Sequence, residues 1–268
     1  MDTLLEIESS VRLTAFLSIF AFMALWEIVA PRRSLTVRKS ERWLNNLGLV
    51  LVNTLVIRLL FPAAAVGTAV WAETQNIGIL HWLELSHLGW VALASVVLLD
   101  LFIWYQHLLF HKVPVLWRLH RVHHADLDFD LTTGLRFHPI EVLLSMLIKA
   151  ALILLFGFPA VAVLVFEVIL NGCAMITHSN VRLPSSLDRL IRFLFVTPDM
   201  HRVHHSWRMD EANSNYGFNL AVWDRLFGTY KADSVDGQAG ITFGITQTPN
   251  RAAVPLRKLL TLPFRSGL

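Results

Sequence analysis

Cysteine occurs once in 268 residues, at Cys173 inside an apolar run. A disulfide framework and a cysteine-based zinc site are therefore excluded. Charge is sparse as well: Asp, Glu, Lys and Arg together make up 16% of the chain, against about 25% in an ordinary soluble domain. With 54% hydrophobic residues, the chain is neither disordered nor a nucleic-acid-binding tail protein, and the composition argues against a water-soluble enzyme. No H-E-x-x-H is present to supply a zincin general base, and no low-complexity segment occurs. The first apolar run lacks both a basic leader and a small-x-small site after it, which argues against a signal peptide.

What the sequence does have is long apolar runs. A membrane span needs roughly 20 mostly apolar residues. Candidates run from Leu13 to Ala30, Leu44 to Trp71 and Leu88 to Phe110. A fourth stretch, Ile140 to Ile176, is broken by Gly157-Phe158-Pro159, a turn signal that makes it a helical hairpin. The expected fold is an all-α integral membrane helical bundle of about four spans, the last a hairpin, with a histidine-rich helical cap. One domain is the simplest reading. Within it, 1–87 are generic N-terminal spans, 88–231 carry the histidine motifs and 232–268 form a C-terminal tail.

Basic residues set the orientation. Residues 1–10 and 72–87 hold no Lys or Arg, whereas 31–43 hold Arg32, Arg33, Arg38, Lys39 and Arg42. Residues 111–139 hold Lys112, Arg118, Arg121 and Arg136. Basic loops stay in the cytoplasm, so the N-terminus is expected outside and the cap on the cytoplasmic face. The stretch 254–264 alternates basic and apolar residues and reads equally as a membrane-surface segment or a disordered end.

Of twelve histidines, only His81 and His87 fall in the predicted outside loop; the other ten lie between His107 and His205. His107 and His111 are four apart. His120, His123 and His124 form H-x-x-H-H, and the string HRVHH recurs at His201, His204 and His205. His138 stands in RFHPIE and His178 in THSN. On a helix, positions i, i+3 and i+4 span an arc of roughly 100°, so each triplet points its rings one way. Pro198 after Thr197 gives the second triplet a good helix start; Pro114 serves the first, behind the poorer cap Val113. Eight imidazoles at one membrane depth are costly to bury without partners and ill suited to face lipid. Metal coordination resolves both problems. Imidazole alone does not choose among zinc, copper, iron and nickel. Eight to ten donors suggest two ions, and an all-nitrogen shell beside a lipid-facing cavity favours iron and dioxygen.

These motifs in this order resemble the fatty acid hydroxylase / sterol desaturase superfamily of integral-membrane non-haem di-iron enzymes. RFHPIE at 136–141, THSNVRLP at 177–184, TPDMHRVHH at 197–205, Asn215-Tyr216-Gly217 and WDRLFGTY at 223–230 fit the same pattern. The likeness covers roughly residues 95–231. It implies that His107, His111, His120, His123, His124, His201, His204 and His205 bind two irons. His178 is implied as a further ligand, and His138 as a ligand or a group that holds one. It also implies oxidation of an unactivated C–H position of a fatty acyl, sterol, carotenoid or alkyl lipid with O2, using electrons from a separate donor protein. Hydroxylation leads desaturation, although no residue decides between them.

Asp100, Glu141 and Asp199 are candidates to orient ligand histidines; Asp199 would equally favour its helix N-terminus. Asn215 and Asp224 are expected to fix the fold of the cap, and Arg58 is assigned no role. Substrate would enter from the bilayer between the third span and the hairpin, past side chains such as Phe102, Trp104, Leu109, Leu143 and Met146. Two other classes compete: a bis-histidine haem membrane protein, and a metal transporter with ligands strung through the spans. Adjacent His-His pairs beyond the spans disfavour the first, and the crowding of histidines on one side disfavours the second.

Overall fold

A computed structural model describes residues 2–245 and 254–265. Among them no strand forms, only three isolated bridges. The longer helices are α1 (Asp2–Val29), α2 (Lys39–Leu60), α3 (Ala64–Thr74), α4 (Gly89–Lys112), α5 (Pro114–His124), α6 (Pro139–Phe156), α7 (Ala160–Thr177), α8 (Ser185–Ile191), α9 (Pro198–His204) and α10 (Leu256–Thr261). Five segments are long and apolar enough to cross a membrane: Leu4–Val29, Lys39–Trp82, Gly89–Lys112, Pro139–Phe156 and Ala160–Thr177.

The expected hairpin is present. α6 starts on Pro139 behind His138 and stops at Gly157, which is left-handed at φ +71°. Pro159 then opens α7. The turn rests on Gly78, itself at φ +108°, so closely that a Cβ on Gly78 would stand 2.2 Å from the Gly157 nitrogen. A Cβ on Gly157 would meet the Ile77 carbonyl oxygen at 2.8 Å. Gly157→Ala is therefore expected to cost about 2–4 kcal/mol, combining left-handed strain with a backbone clash. Thermal unfolding in detergent measures this, and an unchanged midpoint would refute the close approach.

Two spans differ from expectation. The second is two helices, because Pro62 cannot continue α2 and restricts Phe61 before it. α1 begins eleven residues earlier than the apolar run, since its polar residues find partners inside the bundle. Arg12 on α1 lies 2.9 Å from the Glu167 carboxylate on α7, which also accepts from Lys149 Nζ on α6 at 2.6 Å. Charges so paired can be held at depth, where an isolated one is costly.

The described tail packs on protein. Leu259 and Leu262 are buried against Leu49, Val122 and Ala125, and Arg121 donates to the Leu262 carbonyl at 2.6 Å. Residues 254–265 thus form a strap over the first HRVHH helix.

Candidate metal centre

α4, α5, α7 and α9 converge at one end of the bundle, where α5 packs on α4 and α9 on α7. α9 starts as the sequence suggests: Pro198 sits in the first turn and the Thr197 side chain accepts from Met200 N. α5 has Pro114 in its first turn and no side-chain cap.

Nine buried histidines meet there in two groups. His107, His111, His120, His124 and His204 form the first; His123, His178, His201 and His205 form the second. Within each group one ring nitrogen per residue lies within 4.8 Å of all the others. The groups abut, with the His124 and His205 rings stacked 4.5 Å apart. Each HRVHH copy is divided between them. The first copy gives its first and last histidines to the first group and its middle one, His123, to the second. The second copy does the reverse, sending His204 to the first group. The triplets therefore interleave, and neither builds a site alone.

Hydrogen bonds fix which nitrogen faces inward. His107 Nδ1 lies 2.7 Å from the Tyr216 carbonyl oxygen and His120 Nδ1 lies 2.6 Å from Glu141 Oε1. The Tyr216 carbonyl only accepts, so the His107 proton sits on Nδ1 and its Nε2 carries a lone pair; an ionised Glu141 sets His120 the same way. Those two Nε2 atoms face one another at 3.0 Å, a repulsive contact that a cation between them would relieve. His204 Nδ1 is likewise bound to the Ser214 carbonyl, and His178 Nδ1 to that of Ala174, each at 2.7 Å. His178 Nε2 then meets His123 Nε2 at 3.1 Å and His201 Nε2 at 3.0 Å. Among the described residues, His111 Nδ1 and Nε2, His124 Nε2, His204 Nε2 and His205 Nε2 are buried without hydrogen-bond partners. Buried polar atoms are rarely left so. Inward lone pairs and orphaned nitrogens together are the donor set of a metal centre.

Burial keeps these rings neutral. It pushes His178 down to about 3 and holds His120, His123, His124, His201, His204 and His205 well below the ordinary histidine value. In the unfolded chain such rings protonate near pH 6.5. Below that pH the unfolded state binds more protons, so stability falls as pH drops, by up to about 1.4 kcal/mol per unit for each ring. Metal-free protein should lose thermal stability steeply from pH 6.5 to 5. A flat midpoint across that window would show that the rings are solvated.

The remaining candidates fall in different places. His138 joins neither group: its Nδ1 accepts from Ile140 N and its Nε2 faces the Leu260 carbonyl of the strap, both at 3.2 Å. It begins α6 as a cap, and its two nitrogens are engaged there. Glu141 does touch a ring, His120. Asp100 touches none; it accepts from Asn219 Nδ2 at 2.7 Å and Trp223 Nε1 at 2.8 Å. Asp199 touches none either, pairing with Arg32 and Arg202. Asp224 accepts from the amides of Tyr216 and Gly217 at 2.8 Å and from Trp104 Nε1 at 3.0 Å. Asn215, at φ +52°, donates to the carbonyls of Met200 and Lys231. These contacts hold the loop whose Ser214 and Tyr216 carbonyls orient His204 and His107.

Sequence reasoning passed over a buried polar web beside the second group. Arg42 forks onto Asp126 with two 2.8 Å bonds and reaches Asp130 at 2.5 Å. Arg42 and Arg136 hold the buried Asp126 carboxyl well below its usual range, against the pull of burial. The same segment lays Phe129 against His178 and His205, at 5.6 and 5.1 Å between ring centres, and Phe137 flat on His123 at 4.5 Å. The visible signal was three aspartates in alternate positions, 126, 128 and 130.

Comparison with known proteins decides the family. Residues 90–229 match the fatty acid hydroxylase family, which is more than half of the chain. The chain belongs to the fatty acid hydroxylase family. Among its relatives, ornithine lipid hydroxylase OlsE of Rhizobium tropici is 30% identical over 223 residues, covering 80% of this chain and 65% of its own. Human alkylglycerol monooxygenase is 27% identical over 159 residues, 58% of this chain and 34% of its own. Rat cholesterol 25-hydroxylase is 31% identical over 189 residues, 69% of this chain and 60% of its own. The chain thus spans less than two thirds of the length of each of these fatty acid hydroxylase relatives. No solved structure matches it. The matched span contains all nine histidines of the two groups, so the candidate metal centre lies within the family region and helices α1 to α3 lie outside it.

Proposed function

We propose that this chain is a membrane-embedded lipid hydroxylase that holds two irons, one in each histidine group. The observation that carries the reading is the pair of abutting histidine cages, in which hydrogen bonds at the Nδ1 atoms of His107, His120, His178 and His204 leave their Nε2 atoms facing inward. His107, His111, His120, His124 and His204 would hold one ion, and His123, His178, His201 and His205 the other. The irons, when bound, supply the redox chemistry that lets dioxygen and two external electrons oxidise an aliphatic C–H bond. The names of the relatives support a lipid substrate and insertion of oxygen.

The chain's own groups position and seal. Glu141 fixes the His120 tautomer and strengthens it as a donor. The carbonyls of Ser214, Tyr216 and Ala174 do the same for His204, His107 and His178. Asp100 and Asp224 brace the loop that carries two of those carbonyls. Phe129, Phe137 and the strap keep bulk water from the cages. Alkyl chains would arrive from the bilayer between α4 and the α6–α7 hairpin, because they are already dissolved there. The basic segments 31–43 and 111–139 support a cytoplasmic position for the cages, where an electron-donor protein would dock.

Anaerobic purification, iron reconstitution and lipidomics of cells with and without the gene test this reading. The expected result is two irons per chain and a lipid gaining one oxygen. A lipid losing two hydrogens would make it a desaturase. Fewer than two irons with no lipid altered would refute the proposal. Glu141→Ala is expected to weaken metal binding by 10–100-fold, read by chelator competition; unchanged affinity would remove Glu141 from the centre.

A further inference from the structure

α4 and α6 do not pack backbone to backbone. α4 packs on α5 and α7, and α6 on α2, α3 and α5. Long side chains bridge the seam between them: Phe102 meets Phe156 with ring centres 5.5 Å apart, and Gln106 Nε2 donates to Ser145 Oγ at 3.0 Å. That amide–hydroxyl pair is unusual for its position. It lies in apolar surroundings, and Gln106 Oε1 is buried with no hydrogen-bond partner. Ser145 spends one lone pair on Gln106 and keeps its own proton to give. The pair therefore presents one free acceptor and one free donor side by side.

Its location is specific. Gln106 directly precedes His107, and Ser145 lies four residues after Glu141, on the same face of α6 as the carboxylate that touches His120. A helix rises about 1.5 Å per residue, so Gln106 sits one step to the bilayer side of His107 and Ser145 about one turn beyond Glu141. A buried unpartnered amide oxygen costs free energy until something donates to it.

We infer that Gln106 and Ser145 form a polar subsite that recognises a group able both to donate and to accept a hydrogen bond, a hydroxyl or a secondary amide, on the lipid chain near the carbon to be oxidised. This rests on the proposed lipid hydroxylase and narrows its substrates. A chain carrying such a group satisfies both ends of the pair, whereas a plain hydrocarbon leaves them buried and unpaired. Discrimination of this kind exceeds what a methylene-sized difference in a greasy pocket achieves.

The test is binding, which does not require turnover. Purified, metal-loaded protein in nanodiscs is titrated with three lipids of equal chain length: an acyl ester without further polar groups, its 3-hydroxyacyl counterpart, and an amide-linked acyl lipid. Wild type should bind one or both polar lipids about 10–100-fold more tightly than the plain ester, and the arms tell hydroxyl from amide. Gln106→Met, similar in length but without hydrogen-bonding groups, and Ser145→Ala should abolish the preference while leaving plain-ester binding and metal content unchanged. Equal binding of all three lipids by wild type, or a preference that survives in both variants, would overturn the subsite. Either result stands whether or not any lipid is oxidised. Conversely, a preference lost in the variants, with no oxidation of any lipid, would keep the subsite and remove the activity.

Discussion

His178→Ala should lower the proposed iron content from two toward one per chain and reduce the proposed lipid oxidation by more than about 100-fold. The second group has four members, and His178 is the one whose Nε2 meets both His123 and His201. Removing a group that only orients a ligand costs 10–100-fold in affinity; removing a ligand should cost more. The first group shares no ring with the second, so its ion should stay. His138→Ala is the matching control: both of its nitrogens are engaged at the start of α6 and on the strap, so iron content should remain at two. Metal analysis of both variants after identical reconstitution checks this. Loss of both irons from His178→Ala, or of one from His138→Ala, would contradict the assignment of rings to groups.

Arg42→Met should be the most destabilising single change outside the cages. Arg42 is fully buried and is the main partner of two buried carboxylates, Asp126 and Asp130. Arg136, 3.7 Å from Asp126, cannot replace a two-pronged contact. Breaking a buried pair by removing one member typically costs 3–5 kcal/mol, because the other charge is left uncompensated. The loop it holds carries Phe129 and Phe137, so the second group should loosen first. Thermal unfolding of Arg42→Met, with Arg42→Lys beside it, reads the effect. Lys restores charge but not the fork, so partial recovery is expected. A midpoint within one or two degrees of wild type would show that the aspartates find other partners.

The histidine centre was legible because helix spacing is local: HLLFH and two HRVHH strings already put rings on shared faces. The division of each string between two groups was not legible, since it depends on how α5 and α9 meet, and they are far apart in sequence. The family likeness already favoured His178 over His138, and the helices give the reason: α7 ends on His178 inside the convergence, whereas His138 starts α6 facing the strap. The bundle and its Gly157 turn followed from apolar run lengths and one Gly-x-Pro signal. The Arg42 web could not be anticipated, because its partners lie 84 and 88 residues away. The start of α1 was hidden for a related reason: Arg12 reads as polar until Glu167 is seen beside it.

The interleaving of the two HRVHH copies has a consequence for how the protein matures. By the time residue 196 has been made, four of the five donors of one cage exist, but only two of the four donors of the other. One compartment can therefore be seeded early in synthesis, while its neighbour stays half-built until the second copy swings in. Filling would be sequential, with the four-donor cage complete only once His201 and His205 arrive.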